Sequence, residues 1–250
     1  MAGPEAPHSF RLAHVPGVTP GKWARIWEER FPEVALAVLP VDVPEAVALV
    51  RDGRADAAVT RLPVDRTGLH AIPLYAETSV VVVPKEHFVA AADVVSSEDL
   101  ADEVLLHPQD DVLEWERPPG RAGAERPVTT AAAFERVAAG DGLLVVPQSL
   151  ARLHHRKDLT WRPVSDAPES GVALVWLDVE TTDLMERFIG VVRGRTVNSS
   201  RGRPQPEPAP AKAERGTTDR RERRTPAAGN RKGGGPRRTP RPSGRRGRRR

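Results

Sequence analysis

A short loop near the start of the chain has the composition of an anion-binding site. Pro16, Gly17, Val18 and Thr19 stand between an apolar segment, 10–15, that is typical of a strand, and a helical pattern. Such a loop presents free backbone N–H groups and the positive end of the helix dipole to a ligand. Ligands of open α/β sheets bind at the carboxyl ends of strands, so we expect these four residues to contact one. The alternative is an ordinary strand–helix turn.

A second candidate follows the short apolar strand predicted at 57–59. Thr60 and Arg61 come directly after it, and we expect them to face the same cleft as the first loop. A guanidinium binds a carboxylate through two parallel hydrogen bonds, so Arg61 is a candidate for the ligand's acidic group. The alternative is a surface arginine paired with Asp65.

Two weaker candidates lie in the second half of the chain. Thr129 or Thr130 is expected to cap a helix, and either hydroxyl is a candidate to face the first loop across the cleft. Residues 107–110 follow the strand predicted at 104–106 and are expected to line the other wall of the cleft. The alternatives are a helix cap without a ligand and a plain loop.

The sequence lacks the patterns of an enzyme, a metal site or a cofactor site. It contains no cysteine, which excludes disulfides, thiolate catalysis and cysteine-ligated metals. Gly140 and Gly142 precede a strand, whereas the glycines of a dinucleotide-binding loop follow one. His154 and His155 are adjacent, unlike the i, i+4 pair of a helical metal site. We therefore expect no catalytic residues, no metal and no cofactor.

The order of the predicted elements indicates an α/β fold. Strand candidates lie at 10–15, 35–41, 57–59, 69–75, 78–83, 104–106, 143–146, 159–163 and 171–176. Helical patterns alternate with them, the last opened by a predicted capping box of Asp183 and Glu186. This alternation is typical of βαβ units. No apolar run approaches the ~20 residues of a membrane span, and residues 1–9 lack a secretory signal, so we expect a cytoplasmic protein.

The charge of the chain is divided between two regions. Residues 1–200 carry −10 and residues 201–250 carry +14. The second region has no aromatic and no large aliphatic residue, so we expect 197–250 to be a disordered tail. Its arginines are candidates for binding nucleic-acid phosphates without sequence preference, the alternative being an unselected extension in a GC-rich genome. The candidate residues are Arg237, Arg238, Arg245, Arg246, Arg248, Arg249 and Arg250.

Several segments, in order, resemble the effector-binding (substrate-binding) domain of LysR-type transcriptional regulators. The first, FPEVAL at 31–36, resembles the family's YPxVxL. The next are LVRDGRADAAV at 49–59, IPLYAETSVVVVPKEH at 72–87 and SSEDLADEVLL at 96–106. The longest is FERVAAGDGLLVVPQSLARL at 134–153, which resembles xxxVAAGxGIxLLPxSxAxL.

The resemblance implies two Rossmann-like α/β lobes with a central cleft and two crossover strands, the type 2 periplasmic-binding-protein-like fold. The domain would span 10–196, with lobe I at 10–82 and 165–196 and lobe II at 83–164. The crossovers would lie near Val83-Pro84 and Arg162-Pro163. The resemblance also implies a small-molecule effector and a homodimer. The family's winged helix-turn-helix has no counterpart before Phe10, so we expect no sequence-specific DNA-binding domain.

Three functions remain open at this stage. The first is a non-enzymatic receptor for a small molecule, which we expect to be an anionic metabolite. The second is a nucleic-acid-associated protein that acts through the basic tail. The third is a lyase on the same fold, because Thr60-Arg61-Leu62 resembles the Thr-Arg-Phe motif of prephenate dehydratases, with Leu62 in place of the phenylalanine.

Overall fold

The computed structural model describes residues 9–194 of the 250-residue chain, and in them the chain forms two lobes, each with its own sheet. The first sheet has the strand order β2-β1-β3-β10-β4. Its strands are β1 (Ser9–His14), β2 (Ala35–Pro40), β3 (Ala57–Arg61), β4 (Leu69–Glu77) and β10 (Ser170–Leu177). Three helices complete the first lobe: α1 (Gly21–Arg30), α2 (Val43–Arg51) and α5 (Asp183–Val192).

The second lobe is built on an antiparallel sheet with the order β8-β5-β9. These strands are β5 (Ser79–Pro84), β8 (Leu144–Pro147) and β9 (Leu159–Pro163). The pair β6 (Val104–Leu105) and β7 (Arg121–Ala122) adds a small parallel sheet, and an isolated parallel bridge joins Leu105 to Leu143. The lobe also contains α3 (Thr130–Ala139), α4 (Gln148–Leu153) and two short 3-10 helices, Phe88–Ala91 and Glu98–Leu100.

An aromatic cluster fixes α1 and α5 against the first sheet. The rings of Phe10, Trp27 and Phe188 lie with centroids 4.9 to 5.9 Å apart, a spacing at which aromatic pairs attract. The indole N–H of Trp27 donates to the carbonyl of Val34 at 2.8 Å, so the buried ring has no unpaired polar atom. β1 pairs with β2 and β3 in parallel, so the carboxyl ends of these three strands meet at one edge of the sheet.

The first crossover lies earlier in the chain than the sequence suggests. The strand β5 pairs only with β8 and β9, so the chain leaves the first sheet at Thr78 and not near Val83-Pro84. β5 is the central strand of the second sheet and is covered on both faces, with Val80 and Val82 in one apolar cluster and Val81 and Val83 in another. The return to the first sheet lies between the end of β9 and Ser170, where β10 begins.

The helix caps also refine the predicted boundaries. The hydroxyl of Thr129 accepts from the N–H of Ala132 at 3.1 Å, and Gly140 ends α3 with φ +83°. α5 is capped by Thr182, which accepts from the N–H of Met185 at 3.2 Å, and not by Asp183. Thr182 has the extended backbone that an N-cap needs, whereas Asp183 is already helical and interacts with the helix dipole.

Residues 9–194 contain no helix that is both long and apolar enough to cross a bilayer. In the same residues, no three histidine, aspartate or glutamate side chains come together in an arrangement that fits a metal ion.

Candidate functional site

A cavity of about 650 Å³ lies between the loop that follows β1 and the helix α4 of the second lobe. Its size falls within the range of small-molecule sites, which is roughly 300–1,000 Å³. The first lobe contributes His14, Pro16, Gly17, Val18, Thr19, Pro40, Val41 and Asp42, and the second contributes Ser149, Arg152 and Leu153. A molecule in this cavity would therefore touch both lobes.

The first wall exists because β1 and β2 are parallel neighbours that end at the same edge. The N–H of Val41 donates to the carbonyl of His14 at 3.0 Å, which joins the two strand ends. After β1 the chain turns sharply, with Val18 N–H bonded to the Val15 carbonyl at 3.2 Å and Gly17 at φ +84°. All four of the predicted loop residues, 16–19, line the cavity.

Gly17 allows this loop to approach the second lobe closely. A Cβ atom at this position would overlap Ser149 Oγ and would lie 2.9 Å from Arg61 Nη2. A side chain at position 17 is excluded for two independent reasons. The backbone has a positive φ, and there is no room for a Cβ atom.

Arg61 is buried beside the cavity, where it joins the two lobes. Its Nη1 donates to Glu77 Oε2 at 3.2 Å and to Ser170 Oγ at 2.9 Å, and its Nη2 donates to Pro16 O at 3.2 Å and to Ser149 Oγ at 3.0 Å. Ser149 Oγ in turn donates to Glu77 Oε2 at 2.6 Å. Only 2% of the Arg61 side chain and 10% of the Glu77 side chain are exposed.

This pairing changes the role expected of Arg61. Its charge is already balanced by Glu77, so a ligand carboxylate would have to displace a buried carboxylate of the protein. The alternative pairing with Asp65 is not formed either, because Asp65 bonds Arg51 at 2.8 Å. Hydrogen bonds from Thr67 and then from Arg51 hold the pKa of Asp65 at about 2, below its usual value of 3.8. Arg61 thus fixes the contact between the lobes.

The cavity wall carries two charges that have no partner of opposite sign within residues 9–194. Arg152 bonds only the side-chain oxygen of Gln148, at 2.8 Å, and Asp42 makes no side-chain hydrogen bond or ion pair there. His14 adds a ring whose Nδ1 is buried without a hydrogen-bond partner. The remaining wall is mostly apolar, so these groups are its main polar features.

Thr60 lies away from this cavity. It lines, with Arg61, a second cavity of about 440 Å³ between α2 and the segment that follows β3. The Thr60 hydroxyl is fully buried and has no hydrogen-bond partner in the described part of the chain.

The residues predicted on the wall of the second lobe make internal contacts instead. Thr129 caps α3, and Thr130 Oγ1 donates to Asp110 Oδ1 at 2.9 Å. His107 lies 4.0 Å from Asp111, and its carbonyl accepts from Arg126. None of these residues is among those that line the two cavities.

The sequence reasoning missed four residues: Asp42, Glu77, Ser149 and Arg152. Glu77 lies within 72–87, and both Ser149 and Arg152 lie within 134–153. These two segments carry the family resemblance, so they indicated where further site residues could lie. Their pairing could not be foreseen, because it depends on the lobes meeting at Gly17. The tail arginines predicted to bind nucleic acid lie outside the described residues.

Comparison with known proteins agrees with this architecture. The family model of the LysR substrate binding domain matches residues 8–196. A probable hydrogen peroxide-inducible genes activator of Mycobacterium avium is 28% identical over 196 residues, which are 74% of this chain and 63% of that protein. The chain therefore spans less than two thirds of the length of this relative.

Solved structures show the same fold. The BenM effector binding domain with its effector benzoate superposes with a TM-score of 0.61 at 18% identity, over 75% of this chain and 91% of that one. The oxidized form of OxyR gives 0.62 at 19% identity, over 74% and 92%. The fold is thus the two-lobed, type 2 periplasmic-binding-protein-like fold of effector-binding domains, which are not enzymes. On this evidence the chain belongs to the LysR substrate-binding domain family.

Proposed function

We propose that this chain is a receptor for a small anionic molecule, held in the cavity between the loop 16–19 and α4. The observation that carries the proposal is that the two walls of this cavity belong to different lobes. A ligand that touches both walls stabilises one arrangement of the lobes over others, because it adds contacts only in that arrangement. Its binding is then converted into a change of shape, as an effector domain requires.

Arg152 is the group that selects an anion. It faces the cavity, and within residues 9–194 it has no carboxylate partner, so its charge is available to a ligand. This assignment replaces Arg61, whose charge is neutralised by Glu77. Benzoate, the effector in the BenM structure, is an apolar carboxylate, and an apolar wall with one free guanidinium suits a compound of this class.

The similarity to peroxide-inducible activators does not carry a thiol mechanism over to this segment. The 250 residues contain no cysteine, so they cannot form a sulfenic acid or a disulfide in response to peroxide. We therefore propose reversible binding, in the cytoplasm, as the signal that this domain senses.

The test is a thermal-shift comparison of benzoate with benzamide, which has the same ring without the charge. We expect the carboxylate to raise the melting temperature and the amide to have little effect. Arg152→Gln removes the charge and should abolish the difference, whereas Arg25→Gln, an exposed arginine on α1, should leave it intact. Equal shifts by benzoate in the wild type and in Arg152→Gln would show that the anion binds elsewhere.

We also propose a domain of residues 10–196 that pairs as a homodimer, with the first lobe of one copy against the second lobe of the other. Sedimentation equilibrium at high micromolar concentration should give twice the monomer mass of 27.3 kDa. A monomeric mass there would be evidence against the dimer, and rapid trypsin cleavage within 10–196 would be evidence against the domain boundary.

A second candidate function rests on the charge of the tail. Residues 201–250 carry +14, so we propose that they bind nucleic acid through phosphates, without sequence preference. If about six phosphates are neutralised, the logarithm of the binding constant should fall with a slope of about −5 against the logarithm of salt concentration. Binding to a random duplex should be lost when 201–250 are deleted. Binding that survives the deletion would place the contact in the folded part.

A further inference from the structure

The two unpaired charges of the cavity have opposite sign and come from opposite walls. Asp42 belongs to the first lobe and Arg152 to the second, and no hydrogen bond or ion pair joins the two side chains. A ligand that carries only a carboxylate would use Arg152 and leave Asp42 facing it. The carboxylate of Asp42 therefore offers a second polar position, which a further group of the ligand could occupy.

The position of Asp42 leaves its carboxylate available to a ligand. It occupies the N-cap of α2 with the extended backbone typical of that position, φ −71° and ψ +157°. An aspartate there usually accepts a hydrogen bond from a helix N–H, but the Asp42 side chain makes no such bond. Asp42 lines the cavity, and its acceptor oxygens are thus free for a donor from a ligand.

Most of the remaining cavity wall is apolar. Pro16, Val18 and Val41 come from the first lobe, and Leu153, whose side chain is largely exposed, comes from α4. Burial of apolar ligand surface against these residues supplies affinity, and the two charges supply orientation.

We propose that the ligand of this cavity is a zwitterion with an apolar body: its carboxylate binds Arg152 and its ammonium group binds Asp42. This proposal rests on the proposed function and makes it more specific. It selects amino acids and related amino-carboxylates over simple carboxylates, and it disfavours dicarboxylates, because Asp42 repels a second negative charge. The ligand then joins the lobes through one ion pair on each side.

The experiment compares compounds that differ only in the ammonium group. Dissociation constants for the full 250-residue chain are measured by calorimetry for leucine against isocaproate, phenylalanine against hydrocinnamate, and δ-aminovalerate against valerate. Because a hydrogen bond between charged groups outweighs a neutral one, we expect at least one amino compound to bind about tenfold more tightly than its partner. The three pairs place the ammonium group at different distances from the carboxylate.

Matched variants identify the residues. Asp42→Asn should remove the advantage of the amino compound and leave its partner's affinity nearly unchanged, whereas Asp52→Asn, at the other end of α2, should change neither. Arg152→Gln should weaken the binding of both compounds of a pair.

Equal or tighter binding by the compounds without the ammonium group would overturn the zwitterion and leave the proposal of an anion receptor standing. If none of the six compounds binds although benzoate does, the zwitterion is likewise wrong, and if benzoate also fails, the anion receptor falls with it.

Discussion

Arg61 and Glu77 form a buried ion pair, with Nη1 and Oε2 3.2 Å apart, and the hydroxyl of Ser149 from the other lobe bonds to both side chains. The two charges belong to the first-lobe strands β3 and β4, which lie on either side of β10. Because the pair is almost fully buried, each charge depends on the other for compensation. The contact between the lobes is therefore built on a neutral hydrogen-bonded unit, and the unpaired charges of Asp42 and Arg152 lie on the wall of the adjoining cavity.

Removing one partner of this pair should lower the free energy of unfolding far more than removing both. Arg61→Met leaves the Glu77 carboxylate buried without its cation, and we expect it to lower the free energy of unfolding by about 3 kcal/mol. The double variant Arg61→Met with Glu77→Leu should recover most of that loss, since no charge is left unpaired. Urea unfolding of the three proteins measures the difference. If the double variant is as unstable as the single one, the two charges are not coupled.

Gly17 should tolerate no side chain because of its contact with the second lobe. Gly17→Ala carries the cost of a positive φ, about 1 kcal/mol, and in addition a clash with Ser149 and Arg61 of about 2 kcal/mol. Gly53→Ala is the matched control, because Gly53 also has a positive φ, +65°, but nothing lies within 4 Å of its Cβ position. In thermal unfolding, Gly17→Ala should lower the melting temperature more than Gly53→Ala does. Equal losses would mean that the loop and α4 are not in close contact.

The second lobe should lose stability in mild acid through His154. Burial lowers the pKa of His154 below its ordinary value of 6.5, and the nearby charge of Asp110 opposes this only partly. The unfolded chain then binds the proton more readily than the folded one. The contribution of His154 to the stability of the folded state is therefore complete above pH 6.5. It is lost as the pH falls through the lowered pKa of His154.

His154→Phe tests this relationship, because a phenyl ring can still pack on Phe134, whose ring lies 5.0 Å from His154. The melting temperature of the variant should fall less than that of the wild type between about pH 7.5 and about pH 5.5. The other histidines are common to both proteins and cancel in the comparison. Parallel pH profiles would contradict the assignment to His154.

The sequence predicts local features of this protein better than contacts between its lobes. The turn residues 16–19 could be placed at the carboxyl edge of the sheet, where they line the cavity, because the end of a parallel strand and the start of a helix define that position within one segment. The partners of Arg61 could not be foreseen, because Glu77, Ser170 and Ser149 lie 16, 109 and 88 residues away. An arginine at position 61 predicts an anionic partner. In the structure that partner is the carboxylate of Glu77.

The misplaced crossover has a similar cause. The run Val80–Val83 predicts a strand that is buried on both faces, and this is what the structure contains. An apolar run is compatible with the centre of either sheet, and only the pairing with β8 and β9 decides between them. Asp42 and Arg152 were missed because a charged side chain near the end of a helix is usually solvated, so nothing local distinguishes a charge that lines a cavity.

If a ligand joins the two lobes, it should change the distance between them, which can be measured with and without ligand. The chain has no cysteine, so Glu45→Cys on α2 and Lys157→Cys after α4 can carry a pair of spin labels without background labelling. With saturating benzoate, or the tightest amino compound, we expect a narrower distance distribution with a shifted mean, and no change when Arg152→Gln is added. An unchanged distribution in a protein that calorimetry shows to be saturated would contradict the account.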